Sequence, residues 1–142
     1  MGCVSQQQLN AAYQLLPHGP ALRAIDAISA LHARVIDCTV APQPNHVLHP
    51  QRGPISSFTC VEYAAQAAAL HGILMGAEYD PLKPAFIGAV KDVRLLTPSY
   101  TCGQTIRLKA EQEYCERDGA IYSFSAWAED EALITGRLIL KK

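Results

Sequence analysis

Apolar and polar positions change their period several times along this 142-residue chain. Leu9, Ala12, Tyr13, Leu15 and Leu16 recur at roughly helical spacing and stop at Pro17, which predicts a short amphipathic helix over residues 5–16. From Ala24 the texture becomes extended, with Ile25, Ala27 and Ile28, then Leu31, Ala33 and Val35 set against His32 and Arg34, running on to Val40. Pro42 and Pro44 close that stretch, and residues 42–56, with four prolines and two histidines, read as a loop. A helix over 58–75 follows, apolar nearly all round and therefore expected to be buried. Strands are predicted at 86–96, 104–116, 120–128 and 133–140. In the clearest of them Ile106, Leu108 and Ala110 alternate with Arg107, Lys109 and Glu111. Asp118-Gly119 is the pattern of a type I′ hairpin, and Glu129-Asp130-Glu131 of a second turn.

Two strands, a long buried helix and then a meander of antiparallel strands predict an α+β domain, residues 1–142, in which a curved sheet wraps one central helix. Five alanines at 64, 65, 67, 68 and 69 suit this, because small side chains let a sheet approach closely.

A formal charge of -1 with scattered Lys and Arg argues against a nucleic-acid partner. No apolar run is long enough to span a membrane, and no signal peptide is visible. Cys3, Cys38, Cys60, Cys102 and Cys115 are odd in number and lack a Cys-x-x-Cys pair, which argues against a disulfide framework or a zinc site and for a reducing cytoplasm.

The chemistry concentrates on the central helix. Glu62 and Gln66, four residues apart, share one face of a helix otherwise built of small apolar side chains. A carboxylate there needs a partner or a proton. Thr59-x-x-Glu62 also has the spacing of a capping box, in which the glutamate would merely satisfy the helix start. Gln66 has a similarly plain alternative as a buried amide bonded to a loop carbonyl. His18, His46 and His49 lie in loops, His32 is expected outward, and His71 packed low on the helix.

Leu16-Pro17-His18-Gly19-Pro20 with Asp26 eight residues after the histidine, Glu62-Tyr63-Ala64-Ala65-Gln66-Ala67, Phe86-Ile87-Gly88, Pro98 and Gly103-Gln104-Thr105-Ile106 stand in the order of a known family. Together they resemble the hot-dog fold 3-hydroxyacyl-[acyl-carrier-protein] dehydratases, and around the helix most closely the variants of aryl-polyene-type clusters. The resemblance runs from Leu16 to about Leu108. It implies a hot-dog fold and a dimer, homo- or heterodimeric, with active sites between subunits. It implies a substrate carried by acyl carrier protein on phosphopantetheine, with no metal and no other cofactor.

It further implies Glu62 as the proton donor and a histidine as base, with Phe58–Cys60 supplying backbone amides. Gln66, Phe86 and Gly88 would be substrate-binding. His18 matches the opening motif of the variant group. His49-Pro50, thirteen residues before Glu62, stands near the position of the fatty-acid enzymes' His-Phe-Pro-Gly histidine. The two histidines compete for the base. An acyl-thioester hydrolase on the same fold and a non-catalytic acyl-binding or partner subunit are the alternative readings.

Overall fold

The structure, a computed structural model, describes residues 3–16, 20–49, 53–76 and 86–141. The first helix, α1 (Gln6–Gln14), starts at a capping box: the Ser5 hydroxyl accepts from the Gln8 N–H, and the Gln8 side chain accepts from the Ser5 N–H. Its Leu9, Ala12 and Tyr13 are buried, as their spacing requires. A 3-10 turn, Pro20–Leu22, leads to the hairpin β1 (Ala27–Leu31) and β2 (Val35–Val40). The proline-rich loop ends in a two-residue strand, β3 (Ile55–Ser56), which enters α2 (Thr59–Leu74). Then come β4 (Phe86–Leu95), the two-residue β5 (Ser99–Tyr100), β6 (Ile106–Glu116), β7 (Gly119–Ala128) and β8 (Glu131–Lys141).

Six strands form one antiparallel sheet in the order β1-β2-β6-β7-β8-β4, while β3 and β5 pair with each other. The period-two pattern sets which side faces the helix. Ile36, Cys38 and Val40 of β2, Ile106, Leu108 and Ala110 of β6, and Ala120, Tyr122, Phe124, Ala126 and Ala128 of β7 are all buried. α2 lies on that face, mainly against β6 and β2, and buries Cys60, Tyr63, Ala64, Gln66, Ala67, Ala68, Leu70 and His71. This is the sheet-around-helix architecture that the pattern predicts and the arrangement expected of a hot-dog fold.

Local details differ from the sequence expectation. The β6–β7 hairpin turns at Arg117-Asp118, since Glu116 pairs with Gly119. Positive φ occurs only at Asp92, Glu129, Gly53 and Gly76 among the described residues, so the turn is not type I′, which needs it at both central positions. Gly119 instead serves close approach: a Cβ there would collide with the Leu140 carbonyl of β8. β4 forms one edge of the sheet, with bulges after Ile87 and Lys91, and leaves Val90, Val93 and Leu95 exposed, with Leu96 just beyond.

Candidate functional site

The first two turns of α2 carry Thr59, Glu62, Tyr63 and Gln66, spaced three and four apart and thus on one side of the helix. Gln66 is fully buried, and every hydrogen-bonding position of its amide is used. Its Oε1 accepts from the Tyr13 hydroxyl at 2.6 Å and the Ala24 N–H at 3.0 Å. Its Nε2 donates to the Leu22 carbonyl at 2.7 Å and to Glu62 Oε1 at 3.4 Å. The backbone donor at Ala24 and the backbone acceptor at Leu22 fix which end of the amide is oxygen. Tyr13, whose hydroxyl burial holds well above the ordinary phenol range, also accepts from the Ile25 N–H at 3.0 Å. Gln66 thus joins α1, residues 22–25 and α2. What it offers a substrate is the placement of Glu62.

The capping box at Thr59 does not form. Phe58 is the N-cap and provides no side-chain cap, while Thr59 is already helical. The Thr59 hydroxyl lies 2.7 Å from the Ser56 carbonyl and 2.7 Å from the Tyr100 hydroxyl. Glu62 is therefore in the first turn, half-buried and held by Gln66, without serving as the reciprocal arm of a cap. The amides expected from Phe58–Cys60 are largely spent: the Phe58 N–H donates to Ser56 Oγ at 3.2 Å and the Cys60 N–H to the Ser57 carbonyl at 3.1 Å. What remains at this end is the partial positive charge of the helix dipole.

His18 lies outside the described residues. The segments on either side of it, α1 and residues 20–25, are both tied to α2 through Gln66. His49 is buried against Tyr63 of α2 rather than open to solvent. Its Nδ1 donates to the Gln43 carbonyl at 2.7 Å and its Nε2 is bonded to the Tyr63 hydroxyl. Tyr63 is bonded to Tyr100 at 2.7 Å, and Tyr100 to Thr59. Burial pushes both phenols up, so they stay protonated, and pushes His49 down, so it favours the neutral ring. With both nitrogens held by protein groups, His49 has no atom left for a substrate.

Sequence reasoning missed Tyr63 and Tyr100 as members of this cluster. The available signal was the Thr59-x-x-x-Tyr63 spacing. Nothing local marks Tyr100, which arrives through the β3–β5 pairing.

The other expected residues fall elsewhere. His46 Nε2 donates to the Arg23 carbonyl at 2.9 Å and its Nδ1 accepts from the Leu48 N–H at 3.1 Å. His71 is buried as expected, bonded to the Tyr122 hydroxyl at 2.7 Å and the His32 carbonyl at 3.0 Å, and His32 itself is exposed. Gly88 sits exposed at a bulge of the edge strand β4, while α2 packs mainly against β6 and β2, and the Phe86 side chain lies outside the described part. Among the described residues no three His, Cys, Asp or Glu side chains cluster as metal ligands. Cys38 and Cys60 are buried thiols pushed up to about 12, unsuited to act as nucleophiles.

Solved structures share this architecture. The dehydratase heterocomplex ApeI:P from Xenorhabdus doucetiae superposes with a TM-score of 0.79 at 17% identity, covering 92% of this chain and 90% of that one. The E. coli PaaI protein from the phenylacetic acid degradation operon gives 0.67 at 14% identity over 96% and 95% of the two chains. A hypothetical thioesterase from Streptococcus pneumoniae, solved with coenzyme A, gives 0.63 at 11% identity over 97% and 95%. At such identities these likenesses show the hot-dog fold alone. No curated protein sequence matches the chain. The model of the ApeP-like family, ApeP dehydratase, matches residues 10–141, and with nearly its whole length inside that match the chain belongs to the ApeP-like dehydratases.

Proposed function

We propose that this dehydratase removes water from a 3-hydroxyacyl thioester carried on the phosphopantetheine arm of an acyl carrier protein, in polyene-type or related fatty-acid-like biosynthesis. The observation that carries the reading is the setting of Glu62: a carboxyl in the first turn of a buried helix, braced by Gln66 and not consumed as a helix cap. Elimination needs a base for the C2 proton and a proton for the departing C3 hydroxyl. Glu62 supplies the second. The helix dipole behind it favours the negative charge that develops on the thioester oxygen. Because both nitrogens of His49 are engaged, His18 is the residue assigned to take the C2 proton.

The exposed apolar row of β4, at 37–50% exposure for Val90, Val93, Leu95 and Leu96, supports a second hot-dog subunit at that edge. The ApeI:P structure is a heterocomplex, and a related but different partner subunit fits the same role here. In such an assembly Phe86 and Gly88 would meet the acyl chain of the neighbouring subunit's site. The five free thiols among the described residues suit a reducing cytoplasm, and no described helix is long and apolar enough to cross a membrane.

The decisive assay incubates the chain, alone and with a related hot-dog subunit, with a 3-hydroxyacyl carrier protein and follows the acyl mass. Loss of water is expected. Free acid would make it a hydrolase, and no change with any carrier-linked substrate would make it a binding or partner subunit. Glu62→Gln should cut turnover by about 10²- to 10⁴-fold with an unchanged circular dichroism spectrum. Unimpaired turnover would remove Glu62 from the mechanism. His18→Ala should lose activity on the same scale and His49→Ala less; the reverse ranking would move the base to His49.

A further inference from the structure

The hydrogen-bonded chain that starts at His49 is one proton short. At one end Nδ1 faces the Gln43 carbonyl, which can only accept, so Nδ1 carries a proton. At the other end the Thr59 hydroxyl faces the Ser56 carbonyl. Between the two carbonyls run the contacts His49–Tyr63, Tyr63–Tyr100 and Tyr100–Thr59, making five links along the chain, and the Thr59 hydroxyl also lies beside Tyr63 and the Cys60 thiol. A neutral imidazole and three hydroxyls bring four protons to the five links. An imidazolium brings the fifth.

The two states differ along the whole chain. With His49 neutral, one link between Nε2 and the Ser56 carbonyl lacks a proton; when Tyr63 donates to Nε2, Tyr100 to Tyr63 and Thr59 to Tyr100, that gap falls at the Ser56 carbonyl. With His49 protonated, Nε2 donates to Tyr63, every hydroxyl reverses, and Thr59 donates to Ser56 at the entrance to α2. We infer that this chain is a proton switch that couples the charge of His49 to the Thr59 hydroxyl in the helix turn bearing Glu62, with Tyr63 and Tyr100 as positioning residues for the dehydration. The catalytic consequence rests on the dehydratase reading above. The switch itself rests on the geometry alone.

The surroundings set where it operates. The His46 ring, 4.8 Å away centre to centre, accepts from the Leu48 N–H at its Nδ1 and meets the Arg23 carbonyl at its Nε2. From α2, Tyr63 stands edge-on to the His49 ring, with the Cys60 thiol and the Glu62 carboxyl in the same turn. From the far side come Tyr100 and the Cys102 thiol. Burial opposes the cation, the Gln43 carbonyl favours it and His46 opposes it, which places the transition on the acid side of the ordinary imidazole range.

The test is an NMR titration of His49 in ¹⁵N-labelled protein, which requires no substrate. The neutral ring should be the Nδ1–H tautomer. Thr59→Val, three links from the ring, should lower the pH at which His49 titrates, because the cation then leaves a hydroxyl proton without an acceptor. Tyr100→Phe should act in the same direction, and Thr59→Ser should restore the wild-type titration. An unchanged His49 titration in folded Thr59→Val and Tyr100→Phe would overturn the switch, even in an active dehydratase. With substrate, the acid limb of the kcat profile should shift with the titration while KM stays constant; a limb that ignores these variants would overturn the positioning role. A wild-type protein inert on every carrier-linked substrate would instead sink the dehydratase reading and leave the titration to judge the switch.

Discussion

His71 and His49 are both buried against a tyrosine, with rings nearly perpendicular, and burial lowers the proton affinity of both. They differ in whether the neutral ring satisfies its neighbours. At His71, Nε2 donates to the His32 carbonyl, Nδ1 accepts from Tyr122, and the Tyr122 oxygen accepts from Gln112 Nε2 at 3.1 Å. In these three contacts each acceptor has its donor with the ring neutral, and the Ala33 carbonyl also faces the ring. At His49 two carbonyls cap a run of hydroxyls, and the neutral form leaves one acceptor unmet. Burial alone therefore does not separate a histidine that braces a fold from one suited to change state. Proton count does, and it assigns opposite tautomers to the two rings.

The comparison breaks most directly under substitution. His71→Leu orphans the buried Tyr122 hydroxyl donor and the His32 carbonyl and should cost about 2–4 kcal/mol in chemical denaturation. In His49→Leu the Tyr63, Tyr100 and Thr59 hydroxyls still run unbroken to Ser56, so only the Gln43 carbonyl is abandoned, and the cost should be about 1 kcal/mol. Equal costs would erase the distinction.

A smaller effect sharpens it. A histidine whose folded pKa lies below its unfolded value gives its full stabilisation above the unfolded value of 6.5 and loses it as pH falls from there through the folded value. The melting temperature should decline as pH drops below that point. The His71→Leu protein, weaker throughout, should decline less steeply. Parallel curves would mean that His71 is not the group taking up protons.

Much of this architecture is readable from the chain because it is written in local periods. The alternation at Ile106–Ala110 names the buried side of β6, and the alanines of α2 announce a helix enclosed by a sheet. Glu62 and Gln66 stand out because polar groups on such a helix require an explanation. The rest lacks a local signature. Ile55-Ser56 and Ser99-Tyr100 are each too short to show a period, yet their pairing carries Tyr100 to Thr59. Without that long-range contact Thr59 reads as a cap for its own helix, and the Phe58–Cys60 amides read as available donors. The bonds from Gln66 to Tyr13, Leu22 and Ala24 are likewise tertiary, so a buried amide bonded to a loop carbonyl was legible as one of its two readings while the identity of its partners was not.

That single amide also bears on how the frame would yield to a change at one position. Gln66 Oε1 grips Tyr13, before the Leu-Pro-His-Gly-Pro segment, and Ala24, after it, so two points separated in sequence meet at the same atom. Between those anchors the Leu22 carbonyl adds a third tie to the same amide. One side chain thus fixes how far α1 and the approach to β1 stand apart, and a change in it is felt in both at once.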